Sequence, residues 1–399
     1  MINTFRFQMS LLALMQALLL TNNVTLIAVN GLAGLHLAEE KWMATLPVTG
    51  YVLGGAVWAM PAALFMRRHG RRAGYALGSL AALCGALLAW QAVGRGDLWL
   101  LCAATFVCGL YNAFAQSYRF AAADLADVHR PAFKARAISL VLTGGIAGGV
   151  VGPELAQWSR GALEHPFAAS YLSLGGFALL SLALAQLLRL PDSAHAVAGD
   201  EASARPLVEI VRQPVAMLAI LSAAIGYGVM NLLMVATPLA MELCGHGWPD
   251  TTLVLEWHVI GMFAPGLITG SLIARWGLMR VMVAGIVLNL LASAIALTGT
   301  GFSHFLIALV LLGVGWNFMY TGGTSLLIQA YRPAEKNKVQ GFMDLCVFAV
   351  MVSSSASSGA LHVLHGWRLL HWVALPLSLA VLLYAGWYCW RQGRVAAAG

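Results

Sequence analysis

Two short spacings place soft metal ligands one helical turn apart. Met230 and Met234 are four residues apart in one apolar run, and His258 and Met262 are four apart in the next. Because positions i and i+4 lie on one face of an α-helix, each pair can converge on a single atom. Three thioethers and one imidazole form a soft, uncharged set that suits Cu(I) and disfavours Mg²⁺ and Ca²⁺. These four residues, here called the Met–His set, therefore predict a copper site.

Two further soft ligands lie in the segment that joins these runs. Cys244 and His246 are two residues apart in it, at the face where a metal ion would arrive. We expect them to capture copper before it reaches the Met–His set. Methionine also fills gaps in apolar packing, so the alternative that the three methionines only line an apolar cavity stays open.

The elements that carry these residues must be membrane helices. Of 399 residues, 60% are hydrophobic and only 10% are charged, and the mean hydropathy is +0.78. Too few polar side chains are present to cover a globule in water. About twelve apolar runs are long enough, as helices, to cross a hydrocarbon core of about 30 Å. They lie near 8–33, 43–66, 73–93, 98–121, 136–158, 168–189, 215–241, 251–274, 279–299, 304–328, 339–361 and 369–390. We predict an all-α membrane protein with twelve transmembrane helices.

The basic residues predict how the chain sits in the bilayer. If both termini are cytoplasmic, most of the 23 Lys and Arg residues fall on the cytoplasmic side, as the positive-inside rule requires. We therefore expect a multi-pass protein of the bacterial inner membrane, surrounded by lipid. The net charge of +7 is a signal of topology, and it needs no nucleic-acid partner to explain it.

The chain divides into two halves that repeat each other. A polar segment bounded by prolines, 191–213, predicts a cytoplasmic linker between an N-terminal six-helix bundle (1–190) and a C-terminal one (214–399). HRPAFKARA (129–137) recurs as YRPAEKNKV (331–339), and ALFMRRHGRR (63–72) is echoed by GSLIARWGLM (270–279). Two parallel six-helix halves with these loops resemble the major facilitator superfamily. The resemblance implies a secondary transporter that works by alternating access.

Polar side chains inside the apolar runs are costly unless they line a cavity or pair with one another. In the superfamily layout, the first, fourth, seventh and tenth helices line the central cavity. Our candidates for lining or gating are Asn23, Asn112, Arg119, Asn231, Asn317, Arg67 and Asp344. Arg67 stands where the superfamily's loop usually has Asp, so we expect it to pair with Asp344 as a charge-swapped inner gate. The alternative, an arginine among headgroups and an aspartate facing water, stays open.

The Met–His set, on the seventh and eighth predicted helices, resembles the signature of the CcoA-like copper importers, a branch of the superfamily. The flanking ATPLAM (236–241) and GMFAPG (261–266) also look like this branch. The resemblance implies that the Met–His set binds copper as the transported substrate, without a resident cofactor. It also implies that the protein supplies copper for assembly of the cbb-type cytochrome oxidase, with a cytoplasmic copper chaperone as a candidate partner.

Other functions remain open at this point. Relatives of the CcoA-like branch that lack the metal pairs are similar to riboflavin transporters, so the scaffold alone does not specify copper. The main alternative is a transporter of a small organic solute, for riboflavin-like uptake or drug efflux. A copper sensor or assembly factor on the same fold is a further alternative. An enzyme is not expected, since the sequence has no nucleophile and base pair, phosphate loop or cofactor fingerprint.

Overall fold

A computed structural model describes residues 2–130, 133–190, 205–332 and 335–398. These residues are almost entirely helical. The helices are α1 (Ile2–Leu37), α2 (Leu46–Arg95), α3 (Leu98–Ala115), α4 (Tyr118–His129), α5 (Lys134–Ser159), α6 (Ala168–Leu187), α7 (Leu207–Val211), α8 (Pro214–Leu243), α9 (Trp248–Phe263), α10 (Gly266–Trp276), α11 (Leu278–Thr298), α12 (Phe302–Leu327), α13 (Lys336–His365) and α14 (Trp367–Ala398), with a 3-10 turn over Lys41–Thr45.

Each predicted apolar run coincides with a helix, with a pair of helices or with one arm of α2. Among the described residues, nine helices are long and apolar enough to cross a membrane, or ten if α9 and α10 form one span. The longest of them, Lys41–Arg95, contains two of the predicted runs, and α5 covers the fifth. The prediction of an all-α membrane protein is confirmed.

A glycine turn ends the second predicted span in each half. The backbone φ is +82° at Gly70 and +88° at Gly277, a region that side chains with a Cβ rarely adopt. Gly70 divides α2 into two arms, and Gly277 separates α10 from α11. The echo between the two loop sequences therefore corresponds to a shared backbone turn.

Two spans are broken near their middle, which continuous apolar runs did not predict. Helices α3 and α4 meet at Gln116 and Ser117, and α9 bends by 43° into α10. At this bend Pro265 supplies no N–H group for a helical hydrogen bond. The Asn317 side chain donates from Nδ2 to the carbonyl of Met262 at 2.8 Å, which satisfies a carbonyl at the end of α9. The bend thus fixes the positions of Met262 and of the residue after it, Phe263.

The two halves touch at the ends predicted to face outwards. Arg160, which follows α5, places a guanidinium nitrogen 3.5 Å from Oε1 of Glu242 near the end of α8. Thr45 donates from Oγ1 to the carbonyl of Ser355 at 3.2 Å, and its Oγ1 accepts from the backbone N–H of Gly359 at 3.1 Å. These contacts join α5 to α8 and the start of α2 to α13.

The end of the predicted linker is fastened to the C-terminal half. Arg205 donates from Nε to Oε1 of Glu335 at 2.9 Å and from a terminal nitrogen to Oε2 at 2.8 Å. These hydrogen bonds hold the pKa of the buried Glu335 carboxyl well below its ordinary value. The repeat-equivalent Phe133 instead packs edge-on against Phe5, with ring centroids 6.1 Å apart. Residues 191–204 of the linker lie outside the described residues, and the division into two bundles stays a prediction.

Candidate functional site

The Met–His set lies at one depth in neighbouring helices. Met234 and His258 are each about ten residues from the outer ends of α8 and α9, or about 15 Å of helix rise. Met230, Met234 and Met262 belong to one cluster of buried apolar side chains. Their exposed fractions are 3%, 4% and 7%. The three thioether side chains are therefore all buried in one apolar cluster.

The His258 side chain is also buried, and one of its two ring nitrogens has no hydrogen-bond partner. Its Nδ1 lies 2.6 Å from the carbonyl oxygen of Leu309. A carbonyl can only accept, so in the neutral ring Nδ1 carries the hydrogen and Nε2 carries the lone pair. Nε2 is buried and has no hydrogen-bond partner. Histidines that ligate metals are commonly oriented in this way, through a hydrogen bond from the other nitrogen to a carbonyl.

The predicted capture pair lies at the surface. Cys244 is exposed at the end of α8, and His246 contacts the carbonyl oxygen of Thr300 through Nε2 at 2.7 Å. Within the described ranges, no group of three or more His, Cys, Asp and Glu side chains is placed to hold a metal ion. A metal site in this part of the chain would thus depend on thioethers, and the capture role stays a prediction.

Two of the four predicted cavity asparagines meet in a polar cluster. Asn23 donates to Oδ1 of Asn112 at 3.5 Å, and Gln116 donates to the same oxygen at 3.1 Å. The hydroxyl of Tyr51 donates to Oδ1 of Asn23. We call Asn23, Tyr51, Asn112 and Gln116 the amide cluster. It joins α1, α2 and α3, and it leaves Gln116 exposed.

The other two asparagines form hydrogen bonds between helices in this structure, and their role in lining the cavity stays a prediction. Asn231 donates to the carbonyl of Met351 at 3.1 Å and to Oγ of Ser354 at 2.9 Å, which ties α8 to α13. Asn317 ties α12 to the bend after α9. A buried amide is costly without partners, and neighbouring helices supply these partners more readily than a cavity does.

Four aromatic side chains pack together in the C-terminal half. Trp316 and Tyr320 stack with ring centroids 5.5 Å apart and 6° between their planes. Tyr227 meets both rings edge-on, at 5.1 Å and 5.4 Å, and Phe263 lies 6.1 Å from Trp316. Tyr227, Phe263, Trp316 and Tyr320 are called the aromatic wall. Tyr227 of the wall lies within electrostatic range of Tyr51 of the amide cluster.

This wall was not predicted from the sequence, because Tyr227, Phe263, Trp316 and Tyr320 resemble ordinary aromatic residues of membrane helices. One signal could have found Tyr227 and Trp316, because they lie in the seventh and tenth spans, which the superfamily layout places beside the cavity.

Arg119 reaches the wall from the N-terminal half. Its guanidinium lies within electrostatic range of Tyr227, Tyr320 and Asp344. Arg67 is exposed, and in the described residues it forms no ion pair, so the predicted pair of Arg67 with Asp344 is not formed in this structure. Arg119 instead lies within electrostatic range of Asp344.

The arrangement offers two kinds of binding chemistry at adjacent depths. The amide cluster, Arg119 and the aromatic wall can hold a flat solute by stacking and by hydrogen bonds. The Met–His set can hold a soft cation. In the first region Gln116 is exposed and Tyr227, Phe263 and Tyr320 are half-buried, whereas Trp316 and the Met–His set are buried.

The chain was compared with known proteins. The family profile described as Major Facilitator Superfamily matches residues 9–271 and 251–398. The riboflavin transporter RfnT of Brucella anthropi is 36% identical over 374 residues, which cover 94% of this chain and 93% of that protein. The uncharacterized MFS-type transporter YddS of Bacillus subtilis is 28% identical to this chain. The matched region covers 91% of this chain and 86% of that protein.

A solved structure agrees in fold. A variant of the nucleoside transporter NupG superposes with a TM-score of 0.72 at 14% identity, over 96% of this chain and 98% of that one. Such low identity speaks only for the fold. These comparisons support a multi-pass membrane transporter that is not an enzyme. They do not support the finer prediction of copper import, and they favour the organic-solute alternative. The inner-membrane location and the orientation of the termini stay predictions.

Proposed function

The chain belongs to the Major Facilitator Superfamily of membrane transporters, and on that premise we propose that it takes up a flavin-like organic solute. We place the solute between the amide cluster and the aromatic wall. Alternating access then moves it, as the two halves rock about this site.

The stacked pair of Trp316 and Tyr320 is the observation that carries the proposal. A flavin has a flat three-ring system and a hydroxylated side chain. The flat ring can stack on these aromatic faces, where each stacked base-like ring is worth about 1–3 kcal/mol. The hydroxyl groups can bind the amides of Asn23, Asn112 and Gln116, which act as both donors and acceptors. The similarity to a riboflavin transporter over nearly the whole chain supports the same substrate class.

Growth and uptake test this proposal. A bacterial strain that cannot make riboflavin is supplied with this protein, with the Trp316→Leu variant or with a Trp276→Leu control, an exposed tryptophan at the end of α10. We expect growth at low riboflavin and uptake of labelled riboflavin with the wild type and the control. The Trp316→Leu variant should lose most uptake while reaching the membrane. No uptake by the wild type would contradict the proposal.

A second candidate substrate is Cu(I), and one observation favours it. The Nε2 lone pair of His258 is buried and unused, one helical turn from Met262 and at the depth of Met230 and Met234. On this proposal the Met–His set binds copper during transport, Cys244 and His246 present it, and a cytoplasmic chaperone receives it for oxidase assembly. Opening of the buried layer during the transport cycle would be required.

Labelled copper distinguishes the candidates. If copper is the cargo, His258→Gln and Met230→Leu should each abolish ⁶⁴Cu uptake, while Met217→Leu, an exposed methionine of α8, should retain it. Uptake by purified protein in liposomes separates an importer from a copper sensor. Normal copper uptake in both variants, or no copper uptake by the wild type, would exclude this candidate.

A further inference from the structure

We propose that Arg119 is a substrate-binding residue that selects planar solutes by their ring acceptors. It donates hydrogen bonds to a carbonyl oxygen and an adjacent ring nitrogen of the solute. This inference rests on the proposed flavin-like function and adds the group that decides which heteroaromatic rings are accepted.

Arg119 carries a charge that the described protein leaves without an ion pair. In the described ranges the arginine ion pairs are Arg71 with Asp124, Arg160 with Glu242 and Arg205 with Glu335. Asp124, only five residues from Arg119, is thus already occupied, at 2.5 Å. The Arg119 Nε atom is also buried without a hydrogen-bond partner. An unpaired charge inside a membrane span is costly and indicates a function.

The position of Arg119 aims this charge at the solute site. The residue lies in α4, directly after the break at Gln116 and Ser117. Its guanidinium lies 4.8 Å from the ring centroid of Phe120 and within electrostatic range of Tyr227 and Tyr320 across the halves. Arg119 follows Gln116 of the amide cluster by three residues and lies near the tyrosines of the aromatic wall.

The guanidinium has a geometry that suits the edge of a heteroaromatic ring. Its N–H groups form a rigid planar fork that can donate two parallel hydrogen bonds. The pyrimidine ring of a flavin presents a carbonyl oxygen next to a bare ring nitrogen, which accept in the same plane. Since a hydrogen bond to a charged group contributes more than a neutral one, its loss should weaken binding by about 10- to 100-fold.

Asp344 suggests a competing role, because it also lies in range of Arg119. If the arginine served only as a gate with Asp344, its loss would impair transport of every solute without changing which ring binds more tightly. A comparison of two ligands in a binding measurement separates these roles.

The test measures binding of riboflavin and 2-thioriboflavin to purified protein by quenching of the protein's intrinsic tryptophan fluorescence. Sulfur is a weak acceptor, so we expect the wild type to prefer riboflavin by about tenfold or more. Arg119→Ala should weaken riboflavin binding and lower this preference to about one. Arg119→Lys, which keeps the charge without the fork, should lose much of the preference. Asp344→Asn and Arg280→Ala, an exposed arginine, should keep it.

The outcomes separate the two proposals. An unchanged preference in folded Arg119→Ala and Arg119→Lys proteins overturns the role of Arg119 and leaves flavin transport standing. Impaired uptake of both solutes by Arg119→Ala, together with that unchanged preference, assigns Arg119 to the gate. Absence of riboflavin binding in the wild type ends the proposed function and this inference together.

Discussion

The Met–His set and the aromatic wall lie within a few helical turns of each other but differ in access. The four residues of the Met–His set are at most 7% exposed, and their surroundings are apolar side chains. Tyr227 and Tyr320 of the wall are half-buried, and a charged arginine faces them. Trp316 is 6% exposed and belongs to the same apolar cluster as the three methionines, so the two regions differ in access only at the half-buried rings of the wall.

This difference shows why a ligand-like spacing is not the same as a binding site. Spacing places side chains on one face of a helix, but the neighbouring helices decide whether that face meets a cavity. In this structure α12 closes over His258, because Gly313 has no Cβ and a Cβ there would lie 2.5 Å from the His258 carbonyl oxygen. Copper would need this packing to open.

The largest expected loss of riboflavin affinity follows from removing the ring of Tyr320, which stacks on Trp316. Tyr320→Ala should weaken riboflavin binding by about tenfold or more, since the stacking energy of one ring is lost. Tyr320→Phe retains the ring and should bind nearly as tightly as the wild type. Fluorescence titration measures both. Equal losses in the two variants would assign the contribution to the hydroxyl and would contradict stacking on this ring.

A smaller effect is expected on the opposite side of the cavity. Asn112→Leu removes the acceptor that orients Asn23 and Gln116, so affinity for riboflavin should fall by about 2- to 10-fold. Lumichrome, which has the ring without the hydroxylated chain, should lose less. Fluorescence titration measures both affinities. An equal loss of affinity for riboflavin and lumichrome would show that the hydroxylated chain does not bind at the amide cluster.

The sequence predicted the scaffold well because a membrane imposes strong rules. Apolar length, basic loops and repeated loop motifs indicated helical spans at the observed places. The breaks at Gln116 and at Pro265 were not predicted, since both lie inside continuous apolar runs. They depend on partners from other helices, such as the Asn317 amide that satisfies the carbonyl of Met262.

The candidate site was predicted only in part. Asn23, Asn112 and Arg119 were found, because polar groups in apolar runs are conspicuous. The aromatic wall was not, since Tyr227 and Trp316 are far apart in the chain and meet only through the packing of α8 against α12. Asn231 looked the same as Asn23 in the sequence, and only the structure shows its hydrogen bond to α13.

A third region, remote from both sites, offers a reference for stability. The pKa of Glu335 is lowered, chiefly by hydrogen bonds from Arg205, so the ionised carboxylate stabilises the fold. This contribution is complete above the ordinary pKa of about 4.5 and falls as the pH decreases below it. Glu335→Gln should therefore lower the melting temperature at pH 7 more than at pH 4.

Thermal unfolding of the purified protein, followed by intrinsic fluorescence, measures this difference. Glu164→Gln, at an exposed position, is the matched control and should change little at either pH. An equal shift at both pH values would contradict a role for the charge of Glu335. Riboflavin affinity should remain that of the wild type in both variants.

The smallest effect on riboflavin is expected from the Met–His set. Replacing Met230, Met234 and Met262 together with leucine conserves volume and apolar character, and such exchanges are usually tolerated in a core. Riboflavin uptake should change by less than about twofold. A large loss would place these side chains against the flavin and would remove the distinction between the two regions.

The most direct test measures riboflavin and Cu(I) uptake in the same liposomes, with the wild type, Trp316→Leu and the triple methionine variant. We predict riboflavin uptake by the wild type and the methionine variant, and its loss in Trp316→Leu. The opposite pattern, with copper taken up by the wild type and lost only in the methionine variant, would contradict a flavin-like substrate at the aromatic wall and would assign the cargo to the Met–His set.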